Sequence, residues 1–439
     1  MFFQFPKHSF PRNILKIYKN LKDKGILGDY GSRYTFSDEP QFFQYACERS
    51  PYSIKVRKGL GFGCSEKESE AFTIAVAEAI EHYCILYERD ELFTYDSYSN
   101  LKRTAIDPFR FVTFSKEQLK DKSYGKFRFT DKTSFNWLEG YSLTKKKKVL
   151  VPASLVYANY NYKKRKEPII QLKNSTGAAC GPSVEFAIYR GICEIIERDA
   201  YMISFINNLP KKIIDLNSNH HLSRFKRRIE RYDLEVYVLN TQLDFPMTTT
   251  TCLIFDRTGS GPAVSTGLGG SLDPKRAIQT AVFESVRRHI SARDRFYRTK
   301  PLPMPIKNSF DWFLLKKQLL WSAPHMIQTA QNFTKDTQVI DYKELDNKEE
   351  NLSDKERVEF LIKELESKNC EVIYVDMTIP EVQGLGLKVV KVLIPEMVPL
   401  WRDERYPYLE IKRIYDVPNR LGYKAKPMVA EDAFSVHPF

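Results

Sequence analysis

"GFGCSEKESEAFTIAVAEAIEH", residues 61–82, sets a glycine-rich lead-in before a run whose apolar residues return every three to four positions. Phe72, Ala75, Val76, Ala79, Ile80 and Tyr83 keep that spacing, which predicts a helix from about Glu66 to Glu91. Glu78 and Glu81 lie three positions apart on it, hence on one face. The arrangement occurs three times. "NSTGAACGPSVEFAIYRGICEIIERDA" (174–200) leads into a predicted helix from about Ser183 to Ile203 carrying Glu194 and Glu197. "STGLGGSLDPKRAIQTAVFES" (265–285) begins as a strand and continues as a helix with Asp273 as N-cap, Pro274 at the first helical position and Glu284 beyond. The three segments are not close sequence repeats, but they predict helices stacked on a sheet from separate parts of the chain.

With 439 residues, 42% of them hydrophobic, and 25 Tyr and 29 Phe, the chain has material for a large core and is globular. Residues 1–60 are expected to be an irregular segment wrapped around the main body, which occupies 61–439 and ends in a tail over 402–439. No Gly/Ser linker divides the main body. The expected class is therefore α+β: one large domain of Glu-bearing helices packed on mixed β-sheets, with a charged helical elaboration over 305–370. "CEVIYVDMT" (370–378) and "LKVVKVLIPEMVPL" (387–400) return to strand character.

Apolar runs such as "VVKVLI" (389–394) are too short to span a bilayer, and the N-terminus shows no signal-peptide pattern, so a cytoplasmic location and no membrane partner are expected. Seven scattered cysteines without a C-x-x-C pair argue for reduced thiols rather than disulfides or structural zinc. The net charge of +13 favours anionic partners, but no nucleic-acid motif stands out. "KKKK" (145–148) lies between two strand-like stretches and is expected at a solvated hairpin tip.

Against that positive charge, five glutamates on apolar helices need explanation. Ile74 and Ile85 share the face of Glu78 and Glu81, and Tyr201 follows Glu197 by one turn, company a solvated stripe seldom keeps. Buried carboxylates require partners. Arg198 and Arg287 can supply them, as can magnesium, which takes oxygen ligands and shares them with phosphates. Converging, the five would form a strongly negative pocket that accepts ATP only together with Mg2+. There is no G-x-x-x-x-G-K-[ST] and no H-R-D motif.

These motifs resemble those of the YcaO family. The first segment is similar to a Gly-rich lead-in followed by A-x-x-x-A-x-x-E-A-I-E, the second to S-x-G-x-A-x-G followed by E-x-x-E-R-D-A, and the third to D-P-x-x-A-I leading to a helical glutamate. The resemblance implies a YcaO-type fold that binds ATP and Mg2+. Glu78, Glu81, Glu194, Glu197 and Glu284 would be metal positions, and Ser65, Glu78, Glu194, Arg198, Thr280 and Glu284 would meet ATP, with Arg198 on phosphate. Departures are Pro182, Phe186, Thr280 and His82, where the family often has Asn, Glu, Gln or Arg, and Arg. The resemblance also implies an ATP-dependent cyclodehydratase that converts Cys, Ser or Thr of a precursor peptide to azolines. Its tail, here "SVHPF", would reach the active site, making His437, Pro438 and Phe439 catalytic candidates. Implied partners are the precursor peptide, a separate leader-binding protein of the ubiquitin-activating-enzyme-like type and a flavin-dependent azoline dehydrogenase, with a homodimer possible inside the larger complex. Thioamide formation and a non-catalytic scaffold are the alternatives.

Overall fold

The first unit comprises α1 (Arg12–Asp23), β1 (Leu27–Arg33), β2 (Phe43–Arg49), β3 (Gly59–Ser65) and α2 (Glu68–Leu86). The computed structural model containing it describes residues 10–33, 39–50, 58–296, 314–335, 337–401 and 405–425, with isolated positions that include Phe3, Gln4, Val56, Asp403 and Pro438. The three strands form an antiparallel meander, with Phe3–Gln4 on its outer edge. The N-terminal segment expected to wrap irregularly thus supplies a helix and two sheet strands, and the sheet crosses the expected boundary at residue 60. A register shift between Leu27 and Tyr30 breaks the alternation that would have marked β1 as a strand. α2 ends at Leu86, short of the expected Glu91. Its buried stripe of Ala71, Phe72, Ala75, Val76, Ala79 and Ile80 packs on β3.

The chain continues through β4 (Thr94–Ser97), β5 (Ser134–Ser142), β6 (Lys147–Pro152), β7 (Ala178–Gly181) and α3 (Val184–Ile206). β5 and β6 pair as the expected hairpin, Ser142 opposite Lys147, with Lys146 at its tip in the left-handed region at φ 52°. Ser183 caps α3 by accepting the Phe186 N–H at 3.0 Å. α3 packs against β7 and β14 (Lys388–Leu393) and against β10 (Thr248–Asp256) and β11 (Val264–Ser271), so it is buried on most sides.

The second unit adds β8 (Lys212–Asp215), α4 (His220–Glu230), β9 (Leu234–Asn240), then β10, β11 and α5 (Pro274–Phe296). The Lys275 N–H donates to Asp273 Oδ1 at 2.9 Å, the expected cap. β12 (Val339–Asp341) joins parallel to β8, giving the mixed sheet β11-β10-β9-β8-β12. α6 (Asp354–Ser367) packs on α3, and β13 (Ile373–Asp376) and β14 complete the third sheet, β4-β5-β13-β14-β7, with β6 beside β5. α7 (Arg413–Arg420) lies within the expected tail.

α4-β9-β10-β11-α5 repeats the order and antiparallel pairing of α1-β1-β2-β3-α2. Phe62 and Leu268, Gly63 and Gly269, Ala71 and Ala277, and Glu78 and Glu284 each stand 206 positions apart. The side chains differ, which conceals the repeat, but the close approach of helix to strand is common to both. A Cβ on Gly63 would sit 1.9 Å from the Ala71 carbonyl oxygen, and one on Gly269 would sit 1.9 Å from that of Ala277.

The seven cysteines are free thiols and six of them are buried. Among the described residues no helix is long and apolar enough to cross a membrane. Because helix backbone cannot yield to a new side chain, Gly63→Val should lower unfolding stability in urea by about 3 kcal/mol or more. Gly125→Ala, where a Cβ meets nothing within 4 Å, should stay within roughly 0.5 kcal/mol of the wild type.

Candidate functional site

Each lead-in strand leaves a backbone N–H turned toward the helix that follows it, and a glutamate on that helix accepts it. Phe62 N–H donates to Glu78 Oε2 at 2.6 Å, Gly177 N–H to Glu194 Oε2 at 2.8 Å, and Leu268 N–H to Glu284 Oε2 at 3.0 Å. The charge-assisted bonds satisfy buried donors and fix each carboxylate. The three strand–helix pairs close on one another, since α2 touches β7, α3 touches β11 and α5 touches β3. The glutamates consequently face a common centre, and none is sealed from solvent: the side chains of Glu81, Glu194, Glu197 and Glu284 remain 19%, 29%, 10% and 17% exposed.

Cations interleave with them. Arg198 donates to Glu194 at 3.1 Å and to Glu197 at 3.2 Å. Arg287 and Arg288 reach Glu284 at 3.3 and 3.4 Å. Arg49 lies 3.3 Å from His82 Nδ1. Lys391, in β14, faces Glu81 and Glu194. Arg198 and Arg287 are the expected partners, and Arg288 and a lysine from a third element share the centre with them, so it is less negative than five glutamates alone would make it.

The residual imbalance is local. Burial, then the charges of Glu194 and Glu78, holds the Glu81 carboxyl well above its usual range. Burial also pushes Glu197 up to about 7, reinforced by Glu284 and Glu194 against the relief from Arg198. Glu284 is lowered, because Arg288, Arg287 and Arg198 outweigh its burial. Burial lowers His82, with Arg49 adding to it, which favours a neutral imidazole. Burial takes Lys391 down to about 8. Among the described residues no three carboxylate, imidazole or thiolate groups form a ready ligand cage. Magnesium seldom uses one, taking one or two carboxylates together with phosphate oxygens and water. Carboxylates raised by burial and like charge, beside arginines suited to phosphate, fit that kind of ion.

The remaining expected positions divide. Ser65 is buried at 1% exposure and donates to Glu70 at 2.9 Å, so its hydroxyl belongs to the start of α2. Thr280 lies one turn before Glu284 on α5, half-buried. Pro438 sits in an apolar pocket with Tyr201, Phe205, Leu253, Phe333 and Lys211. His437 and Phe439 lie outside the described residues. Pro182 is exposed, and the Phe186 ring covers Gly181, where a Cβ would be 2.2 Å from it. Ile74 is 46% exposed, unlike buried Ile85, because it sits at the outer margin of the Glu78 face.

Lys391, Arg288 and Arg49 join the site without having been expected there. Lys391 had a signal, being the one charge within the apolar run 389–394. Asp199, next to Arg198 in sequence, pairs with a distant base. Arg413 on α7 donates to its two oxygens at 3.0 and 2.6 Å, and the Val398 N–H donates to it at 2.8 Å. Asp244 joins Arg413 to Arg420.

Asp199→Asn leaves Arg413 buried with one carboxylate fewer and should cost about 3 kcal/mol in urea unfolding. In the metal-free chain Glu197 keeps its proton up to about pH 7, whereas the unfolded chain releases it near 4.5. The folded state then binds more protons between those values, so this group's contribution makes stability fall as pH rises across them. Glu197→Gln removes the effect. In a chelator, the variant's stability relative to wild type should climb by up to roughly 3 kcal/mol from pH 4.5 to 7, measured by urea midpoints.

The fold is similar to that of a heterocyclase solved in complex with substrate and cofactor, with TM-score 0.77 and 21% identity, covering 96% of this chain and 57% of that one. YcaO from Methanopyrus kandleri, bound with AMPPCP and Mg2+, gives TM-score 0.66 at 16% identity and covers 90% and 92%. A chain of the E. coli microcin synthetase McbBCD complex gives 0.63 at 12%, covering 93% and 96%. By sequence, an uncharacterised protein of Methanothermobacter thermautotrophicus is 26% identical over 276 residues, 60% of this chain and 66% of that protein. This chain thus spans less than two thirds of that relative and of the heterocyclase. The model described as YcaO cyclodehydratase, ATP- and Mg2+-binding, matches residues 61–398, and the chain belongs to the YcaO family.

Proposed function

We propose that this chain is an azoline-forming cyclodehydratase acting on Cys, Ser or Thr residues of a ribosomally made precursor peptide. The observation that carries this is the ring of three strand-anchored glutamates with Arg198 bridging Glu194 and Glu197. The family description and the likeness to a heterocyclase support the reaction class.

Glu78, Glu81, Glu194, Glu197 and Glu284 would hold Mg2+, and Arg198, with Arg287 and Arg288, would meet the phosphates. Bound Mg-ATP supplies the phosphoryl group that makes a poor leaving group, the amide oxygen, into a good one. The chain's own part is to position and to balance charge. Backbone N–H bonds hold Glu78, Glu194 and Glu284 against rotation, and Arg198, Arg287 and Arg288 take the second oxygens of Glu194 and Glu284, so the carboxylates stay fixed at the centre. Arg198 offers a planar donor fork that its carboxylate partners pre-orient. The ring needs no protein nucleophile, since the substrate side chain attacks its own preceding carbonyl.

The match to 96% of a chain within McbBCD supports a protein that works in a complex, with a separate leader-binding partner and an azoline-oxidising flavin enzyme. The seat of Pro438 beside Tyr201, one turn past Glu197, supports a tail that closes over α3, with His437 as proton acceptor.

Reconstituted with its partner, Mg-ATP and a Cys-bearing precursor, the protein should release ADP and phosphate while the peptide loses one water per ring, followed by mass spectrometry. A mass gain from sulfur replacing oxygen would move the assignment to thioamide formation. Glu197→Gln should reduce turnover at least about 10²-fold while the chain still folds; near-normal turnover would exclude Glu197 from the metal site.

A further inference from the structure

Lys391 stands on the β14 side of the glutamate centre, facing Glu81 and Glu194, away from the arginines of α3 and α5. It is 1% exposed and forms one end of a cavity of about 50 Å³, with Phe111, Leu155, Thr176, Ile195 and Met397 among the walls. That space admits a few water-sized groups. An ammonium has three donors. Two of them go to the carbonyl oxygens of Thr176 at 2.6 Å and Asn174 at 3.1 Å. The third has no acceptor among the described residues, which for a buried cation calls for one more oxygen.

The cavity adjoins the glutamate ring, because Thr176 precedes the Gly177 N–H that anchors Glu194, and Ile195 follows Glu194. The two flanks of the ring differ. On the α3–α5 side Arg198, Arg287 and Arg288 offer several charges, as a polyphosphate requires. On the β14 side a single cation, held by two carbonyl oxygens and facing Glu81 and Glu194, opens on a cavity lined by apolar side chains together with Gln171, Asn174 and Thr176, which suits one uncharged amide group. We infer that this cavity receives a backbone amide of the peptide substrate and that Lys391 is a catalytic residue donating a hydrogen bond to the amide oxygen; this rests on the proposed function.

The step balances without further reactants. The substrate thiol gives its proton to the acceptor proposed above, the His437 imidazole, its sulfur bonds to the carbonyl carbon, and the C=O π pair becomes a lone pair on oxygen. Lys391 stabilises that charge and keeps its own proton. One such donor is worth about 10²–10³ in rate.

The test separates binding from turnover. The full chain, saturated with Mg2+ and AMPPCP, is titrated with N-acetylglycine N′-methylamide while the methyl resonances of Ile195 and Met397 are followed. These should shift in the wild type and stay still in Lys391→Met and in Leu155→Trp, which fills the cavity without altering charge. AMPPCP affinity should hold within about twofold in both. With a Cys-bearing precursor, kcat of Lys391→Met should fall about 10²-fold at unchanged KM for ATP. No shift in the wild type, or shifts that survive both substitutions, would overturn the inference. A loss of AMPPCP affinity of about tenfold or more in Lys391→Met would do so too, assigning the ammonium to phosphate. Leu155→Trp decides the cavity if Lys391→Met does not fold. A wild type that binds the amide but forms no azoline would refute the proposed function and leave this site standing.

Discussion

A carboxylate accepting the backbone N–H of the strand that feeds its own helix is the contact on which this structure turns. It recurs at Glu78, Glu194 and Glu284. β3, β11 and β7 each lie at the edge of their sheet. An edge leaves N–H groups without strand partners, and a buried one must be satisfied by other means. A neutral acceptor would have sufficed for folding. A carboxylate does the same task and leaves charge at the point where three sheet edges converge, so satisfying the backbone and building an ionic centre are one act.

Close helix–strand packing makes the contact possible. Glycines at 61 and 63, and again at 267 and 269, admit the helix backbone to a distance that any side chain would forbid. Alanines on the facing stripe complete the fit. The glutamate then follows at the turn where the helix passes the strand's unpaired N–H, which explains why the spacing from donor to acceptor is 16 residues in both repeated units. Arginines set between the carboxylates keep the assembly from expelling itself by repulsion. At Glu81, where burial and the charges of Glu194 and Glu78 outweigh Lys391 and Arg190, the carboxyl is held well above its usual range, and there a divalent ion would gain most.

This geometry accounts for what could be seen in the sequence. Helical spacing placed α2, α3 and α5, the Asp273–Pro274 start was explicit, and the five glutamates stood out because their neighbours were apolar. The internal repeat was hidden, since glycine contacts and backbone bonds preserve it while the side chains around them differ. The N-terminal strands were hidden by a bulge and by partners that come later in the chain. Ser65 and Ile74 misled for a shared reason: residue type and helix face do not reveal whether a side chain is already committed to a neighbour or turned outward. Lys391 and Arg413 belong to contacts made from more than 190 residues away in sequence, which no local pattern encodes.

The Asp199–Arg413 pair gives α3 a second allegiance. Glu194, Glu197 and Arg198 occupy its site-facing side, while the next residue anchors α7 and the strand exit at Val398. The Asn207 amide adds a donor to the Ile414 carbonyl at 2.9 Å. A buried, bidentate ion pair is a poor source of net stability, because desolvation offsets most of its attraction, but its directional bonds tolerate little misplacement. Its value is positional. Any shift of α7 along α3 would strand a buried arginine, so the C-terminal segment is held in register with the turn that carries Glu197. The ionic centre and α7 are thereby tied to one rigid element.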